Sequence, residues 1–245
     1  MKTRNKYLRL VKNLFWELDE TGAVEKLLEA YRYPGAPLRL IANNLGVSDI
    51  IPEDLPFDGG IFEDDGQMII KVNALSPIVR QRFTLAHELG HLIFMRRFSM
   101  DAKCVEDPQL EGACDRLAVE LLMPRYETAE YIERLGAPSP ENLRVVARRF
   151  GVSLHVAARR LEYLNLWRHS VGLWELSRYP RQLWFVGKRL WRRPPNFIGF
   201  DLAKASPISV STIESVPSGD GEIPIRLQML NLGRNHFLGL ITTSR

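Results

Sequence analysis

Cysteine is scarce in this chain: Cys104 and Cys114 are the only two among 245 residues. Two cysteines cannot make a disulfide framework, so free thiols in a reducing cytosol are the expectation. Long apolar runs are missing too. No stretch of about 18 apolar residues is available to span a bilayer. The basic N-terminus leads into Leu14-Phe15-Trp16, but Lys12 and Glu17 interrupt that run, which excludes a secretory signal peptide and leaves a cytoplasmic location as the expectation. Internal repeats and low-complexity segments are absent, which excludes solenoids and compositionally disordered arrays. The length suffices for a sizeable core, as one domain with appendages or as two to three small ones. Histidine is also sparse, with five in all and only His87 and His91 before residue 150.

Those two histidines stand in His87-Glu88-Leu89-Gly90-His91, an HExxH motif within a strongly helical stretch. Helical positions i and i+4 lie about 40° apart on one face. Two imidazoles so placed can fill two corners of a tetrahedral zinc site. Glu88, one residue round from His87, can take a proton from a water at the metal without itself being a ligand. The chemistry indicated is hydrolysis of an amide bond. Ser76-Pro77 reads as an N-cap followed by an N1 proline, and Ile78, Phe83, Leu85, Leu89, Ile93 and Phe94 supply apolar flanks. Gly90 costs about 1 kcal/mol inside a helix relative to alanine, a cost that makes sense if another backbone approaches closely there.

A third ligand is expected from a second helix, Glu111 to Leu122, ended by Pro124. With Glu111 as reference, Cys114, Asp115 and Ala118 fall within about 60° of it, and Glu120 lies about 180° away. Glu111 is the better ligand, because Asp115 one turn later can accept a hydrogen bond from a ligand histidine and orient it. Glu120 then reads as a solvated surface charge. A thiolate from Cys104 or Cys114 would close the open position that a catalytic zinc requires.

The stretch from Arg80 through Phe83-Thr84-Leu85-Ala86 to His91-Leu92, followed by Glu111 and Leu121-Leu122-Met123-Pro124, resembles the ImmA/IrrE family of zinc metalloendopeptidases. Pro37 to Val47 resembles that family's helix before the first strands, and the similarity runs over roughly residues 35–165. Family members often carry a second Glu where this chain has Ala113, and typically Ala where it has Cys114; the departure at Ala113 favours Glu111. The resemblance implies a bacterial cytoplasmic protease that inactivates a helix-turn-helix repressor of XRE type by a limited cut, in stress responses or mobile-element regulation. The competing reading is a regulator, non-proteolytic and binding DNA or a partner, that uses the protease fold for docking; an intact Glu88 argues against it.

Charge is uneven along the chain. Residues 1–140 carry a net −5, residues 141–193 a net +9 and residues 194–245 none. The run Asp49, Glu53, Asp54, Asp58, Glu63, Asp64, Asp65 has no intervening base, which suits either a basic partner or a solvated face. Helices are expected near 5–18, 23–32 and 37–46. Gly60–Glu63 and Gln67–Val72 read as strands around the hairpin signal Asp64-Asp65-Gly66. One of them can hold a substrate backbone by β-augmentation, and the sequence does not say which.

From Ser139 the pattern resembles the first helix and turn of a helix-turn-helix, with Gly151 at the turn and Ser153 capping the next helix. The surplus arginines suit weak, non-specific association with nucleic acid; a helical pair packed on a core, with its arginines in solvent, is the other reading. Leu154-His155-Val156-Ala157-Ala158 is poor in the side chains that read base edges. Beyond about residue 170, Trp184–Val186, Ile208–Ile213, Ile223–Leu230 and Phe237–Thr242 are strand-like, and Trp184, Trp191 and Phe197 read as core or as the lining of a ligand pocket. The expected architecture is α+β: a zincin-like metallopeptidase domain at 1–126, a helical segment at 127–168 and a small β-rich domain, standing where relatives have a GAF-like sensor, at 169–245.

Overall fold

A computed structural model describes residues 37–98, 108–191, 195–218 and 221–243. The helices expected near 5–18 and 23–32, and Cys104, lie outside the described residues. The chain is α+β and divides into two compact units, one ending at Thr128 and the other beginning at Ala129.

The first unit begins with α1 (Leu38–Asn44), which buries Leu38, Ile41 and Ala42 along one stripe. Strands β1 (Val47–Glu53), β2 (Gly59–Asp64) and β3 (Gln67–Asn73) form a mixed sheet in the order β1-β3-β2, with β1 parallel and β2 antiparallel to β3. β3 reads as an apolar run because it is the middle strand, and Ile69, Ile70 and Val72 are buried. The hairpin turns on Asp65 and Gly66, both at positive φ (47° and 76°), as a two-residue loop of primed type requires. Pro52 lacks an N–H and is tolerated because β1 is an edge strand among the described residues.

Helix α2 (Ile78–Phe98) packs on β2 and β3 and beside α3 (Pro108–Leu122). It starts one residue later than the Ser76-Pro77 reading implies. Pro77 gives its carbonyl to the N–H groups of Arg80 and Gln81, and the Gln81 amide turns back to the carbonyls of Ala74 and Ser76. A Cβ on Gly90 would stand 3.3 Å from both Cα and Cβ of Cys114, so the missing side chain lets α2 and α3 approach closely.

Glu120 corrects the sequence reading. It is buried rather than solvated, and its Oε1 accepts the backbone N–H of Arg125 at 3.0 Å. A new helix, α4 (Arg125–Leu135), starts directly after Pro124, and its first N–H groups need an acceptor.

In the second unit, α5 (Pro140–Phe150) begins at Ser139, whose side chain accepts the Asn142 N–H, and ends at Gly151 in the left-handed region (φ 63°). Ser153 caps α6 (Leu154–Tyr163) through the Val156 N–H. Both follow the sequence reading. Five antiparallel strands come after them, β4 (Ser170–Leu176), β5 (Pro180–Val186), β6 (Val210–Ser218), β7 (Gly221–Gly233) and β8 (His236–Thr243), in the order β5-β4-β8-β7-β6. A further helix, α7 (Ile198–Ala205), packs on β6 and β7, and buried Glu214 accepts its Gly199 N–H at 2.8 Å.

The helical pair and the sheet, read as separate segments from the sequence, share this unit. α5 packs on β7 and β8, and Glu141 accepts the Ser209 N–H. α6 packs on β5, where His155 stacks on Trp184 with centroids 5.2 Å apart. Trp191 and Phe197 belong to the core around fully buried Trp174. Gly172 and Gly239 face each other on β4 and β8, and a Cβ on either would lie 2.5–2.6 Å from the Trp174 indole. The pair of glycines is the room that the indole occupies. Among the described residues no helix is long and apolar enough to cross a membrane.

Candidate metal centre

α2 and α3 lie side by side, and their Gly90–Cys114 contact sets the spacing at which side chains of the two helices meet. His87 and His91, one turn apart on α2, turn their Nε2 atoms towards each other at 3.1 Å. From α3, Glu111 brings one carboxylate oxygen to 3.1 Å from His87 Nε2 and the other to 3.3 Å from His91 Nε2. Burial falls across the cluster. The His91 and His87 side chains are 4% and 16% exposed and that of Glu111 is 44% exposed, so the site is rooted in the core and open on one side.

Asp115, one turn after Glu111, receives the His87 Nδ1–H at 2.8 Å. That bond fixes the tautomer and leaves the Nε2 lone pair aimed at Glu111 and His91. Three electron-pair donors drawn this close repel one another unless a cation lies among them. They suit a divalent ion of zinc type, which takes imidazole nitrogen and carboxylate oxygen together. Among the described residues, His87, His91 and Glu111 are the group whose ligand atoms all lie within 4.8 Å of one another.

At His91 the electrostatics agree with this donor set. Burial, with the neighbouring His87 charge adding to it, pushes the His91 imidazole down to about 4 and keeps it neutral near pH 7, as a ligand must be. At His87 burial also favours the neutral ring, but the Asp115 hydrogen bond and the charges of Glu88, Asp115 and Glu111 outweigh it and raise the pKa. Burial raises the Glu88 carboxyl to about 7; His87 opposes the shift and Glu111 adds to it. A carboxyl poised there can both accept and release a proton near neutrality. Burial pushes the Cys114 thiol strongly upwards, so it stays a protonated core side chain and not a thiolate donor.

Two features escaped the sequence reading. β3 is paired on both sides, so among the described residues only β2, of the two candidate strands, keeps an unpaired edge. β2 also lies against the motif helix, since a Cβ on Gly59 would meet the Thr84 methyl at 2.7 Å, and Asp58 just before it forms an ion pair with Arg80. Asp58 and Arg80 are 22 residues apart, and nothing in the local pattern connects them.

Comparison with known proteins agrees with this geometry. Residues 42–162 match a peptidase family described as the IrrE N-terminal-like domain. The chain is 36% identical over 101 residues to the radiation response metalloprotease IrrE of Deinococcus radiodurans; the match takes in 38% of this chain and 30% of that protein. The chain therefore spans less than a third of the length of that relative. A solved Mycobacterium tuberculosis transcriptional regulator has the same fold at a TM-score of 0.56, with 18% identity, over 99% of this chain and 80% of that one. With the HExxH helix, the facing glutamate and the preceding mixed sheet all inside the matched segment, the chain belongs to the ImmA/IrrE family of metallopeptidases.

Proposed function

We propose that this protein is a zinc-dependent endopeptidase that makes a limited cut in a helix-turn-helix repressor of XRE type, in stress response or mobile-element regulation, in the cytoplasm. The observation that carries the reading is the convergence of His87, His91 and Glu111 beside a glutamate, Glu88, that is not among the ligand atoms. In this reading the three converging side chains hold zinc, and Asp115 orients His87. A zinc ion bound there supplies a Lewis acid that polarises the scissile carbonyl and acidifies water. Glu88 takes a proton from the attacking water as the new C–O bond forms. It hands that proton to the amine nitrogen as the C–N bond breaks, so the step balances without another reactant.

The substrate backbone lies along the free edge of β2, adding a strand to the sheet. Its distance from α2 is set by Gly59, which has no side chain to push the strand off Thr84. The repressor is favoured as substrate by the resemblance to the ImmA/IrrE family. The test is metal analysis of the purified protein and incubation with the product of a neighbouring repressor gene. A single cut that disappears on chelation, and on Glu88→Gln with metal content unchanged, is the expected result. Cleavage at full rate by Glu88→Gln would sink the mechanism.

A further inference from the structure

The free edge of β2 carries a pattern of its own. The Asn73 N–H donates to the Asp58 carbonyl at 2.8 Å, and the two-residue loop closes on Asp64 and Gln67. Antiparallel ladders alternate bonded and non-bonded pairs. Asp58, Gly60, Phe62 and Asp64 therefore spend their backbone groups on β3, whereas Gly59, Ile61 and Glu63 turn theirs outward to the open side. These three also share one face of the strand, because side chains repeat every second residue. It is the face towards α2, since the Cβ direction of Gly59 runs into Thr84.

The charges along this region differ in their partners. Asp49 pairs with Arg39 at 3.6 Å, Glu53 with Lys71 at 2.7 Å, and Asp58 with Arg80. Glu63 is exposed, and among the described residues no cation pairs with it. Ile61, two residues back on the same face, is partly exposed.

From this juxtaposition of outward backbone, exposed Glu63 and apolar Ile61 on one face of an edge that no other described strand pairs with, we infer that β2 selects an extended protein segment carrying a lysine or arginine opposite Glu63 and an apolar residue two positions along, opposite Ile61. The inference rests on the reading that substrate pairs with this edge, and it adds which substrate is preferred. Directly opposed residues of an added strand lie about 5 Å apart, close enough for one charge pair and one apolar pair to choose among sequences that bind through the same backbone bonds. The segment's other residues, facing away from α2 opposite Gly60, Phe62 and Asp64, are less constrained by this face.

The experiment uses the full chain carrying Glu88→Gln, loaded with zinc, as bait for a randomised peptide library, and repeats the selection with Glu63→Lys added. Expected is enrichment of a basic residue two positions from an apolar one, with acidic residues replacing the basic one in the second selection. The consensus peptide should then lose about fivefold in affinity when its basic residue becomes neutral, the change one cross-strand charge pair supports. Equal enrichment by both baits, or no basic preference, overturns the inference. Unchanged metal content and circular dichroism show that Glu63→Lys is folded. The two readings fail separately. Cleavage of a repressor by the wild-type chain without basic selection removes the edge preference and leaves the peptidase. Basic selection by a chain that cleaves nothing removes the peptidase and leaves the edge.

Discussion

At the scale of single residues, two glutamates of one helix have opposite tasks. Glu111 faces the histidines, while Glu120, half a turn round and buried, accepts the first free N–H of the next helix. Glu111→Ala is expected to weaken zinc binding sharply, because a ligand is lost. Glu120→Ala is expected to leave zinc affinity near normal and to lower stability by about 1 kcal/mol, the usual cost of removing such an acceptor. Zinc titration and denaturant unfolding of both variants check this; loss of metal from Glu120→Ala alone would show that the helix register is wrong.

Asp115 belongs to the same scale. Asp115→Asn keeps the shape but no longer favours the His87 tautomer with Nδ1 protonated, and a fall in zinc affinity of about 10–100-fold is expected from losing such a partner. Competition with a chelator measures it, and an unchanged affinity would remove Asp115 from the site's support.

At the scale of elements, glycine pairing decides how the second unit packs. Gly239→Ala would place a methyl 2.6 Å from the Trp174 ring and 2.7 Å from the Met229 sulfur. Neither neighbour can leave a core this full without repacking, so a loss of about 1–3 kcal/mol is expected. Thermal and urea unfolding of Gly239→Ala measure that loss, and a stability equal to wild type would mean that the indole has space to move.

This device also explains what was hard to read in advance. The β2–β3 hairpin was legible because Asp65-Gly66 is a local signal between alternating strands. The helix boundaries at Ser139, Gly151 and Ser153 were legible because caps are local. β4 escaped because Ser170-Val171-Gly172-Leu173-Trp174-Glu175-Leu176 breaks apolar alternation with a glycine whose purpose, making room for Trp174, depends on Gly239 some 67 positions later. α7 escaped because it is only eight residues long, and its Gly199 sits against Leu227 and Met229 of a distant strand. At the candidate metal site, the meeting of His87, His91, Glu111 and Asp115 follows the helical spacing. The unpaired side of β2 among the described residues, the burial of Glu120 and the Asp58–Arg80 pair do not, because each depends on which element lies alongside.

At the scale of the whole molecule, the chain joins a net −5 front to a net +9 middle. Arg144, Arg148, Arg149 and Arg159 are exposed on α5 and α6, which gives this helical pair the charge of a DNA-binding module. Its packing gives it another task. His155, at the start of the second helix, where a reading head would meet base edges, is stacked on Trp184 of β5. Side chains committed to a sheet cannot enter a groove, whereas exposed arginines can still meet phosphates, which carry no sequence information. The full chain is therefore expected to bind any duplex weakly. The logarithm of its association constant should fall linearly with the logarithm of salt concentration. Affinities for a promoter fragment and for random DNA, each measured at two salt concentrations, check this. Parallel salt slopes with no promoter preference are the expected result. A large preference that survives physiological salt would mean that α6 leaves β5 to read DNA, and the non-proteolytic regulator would then be the better account of this half of the chain.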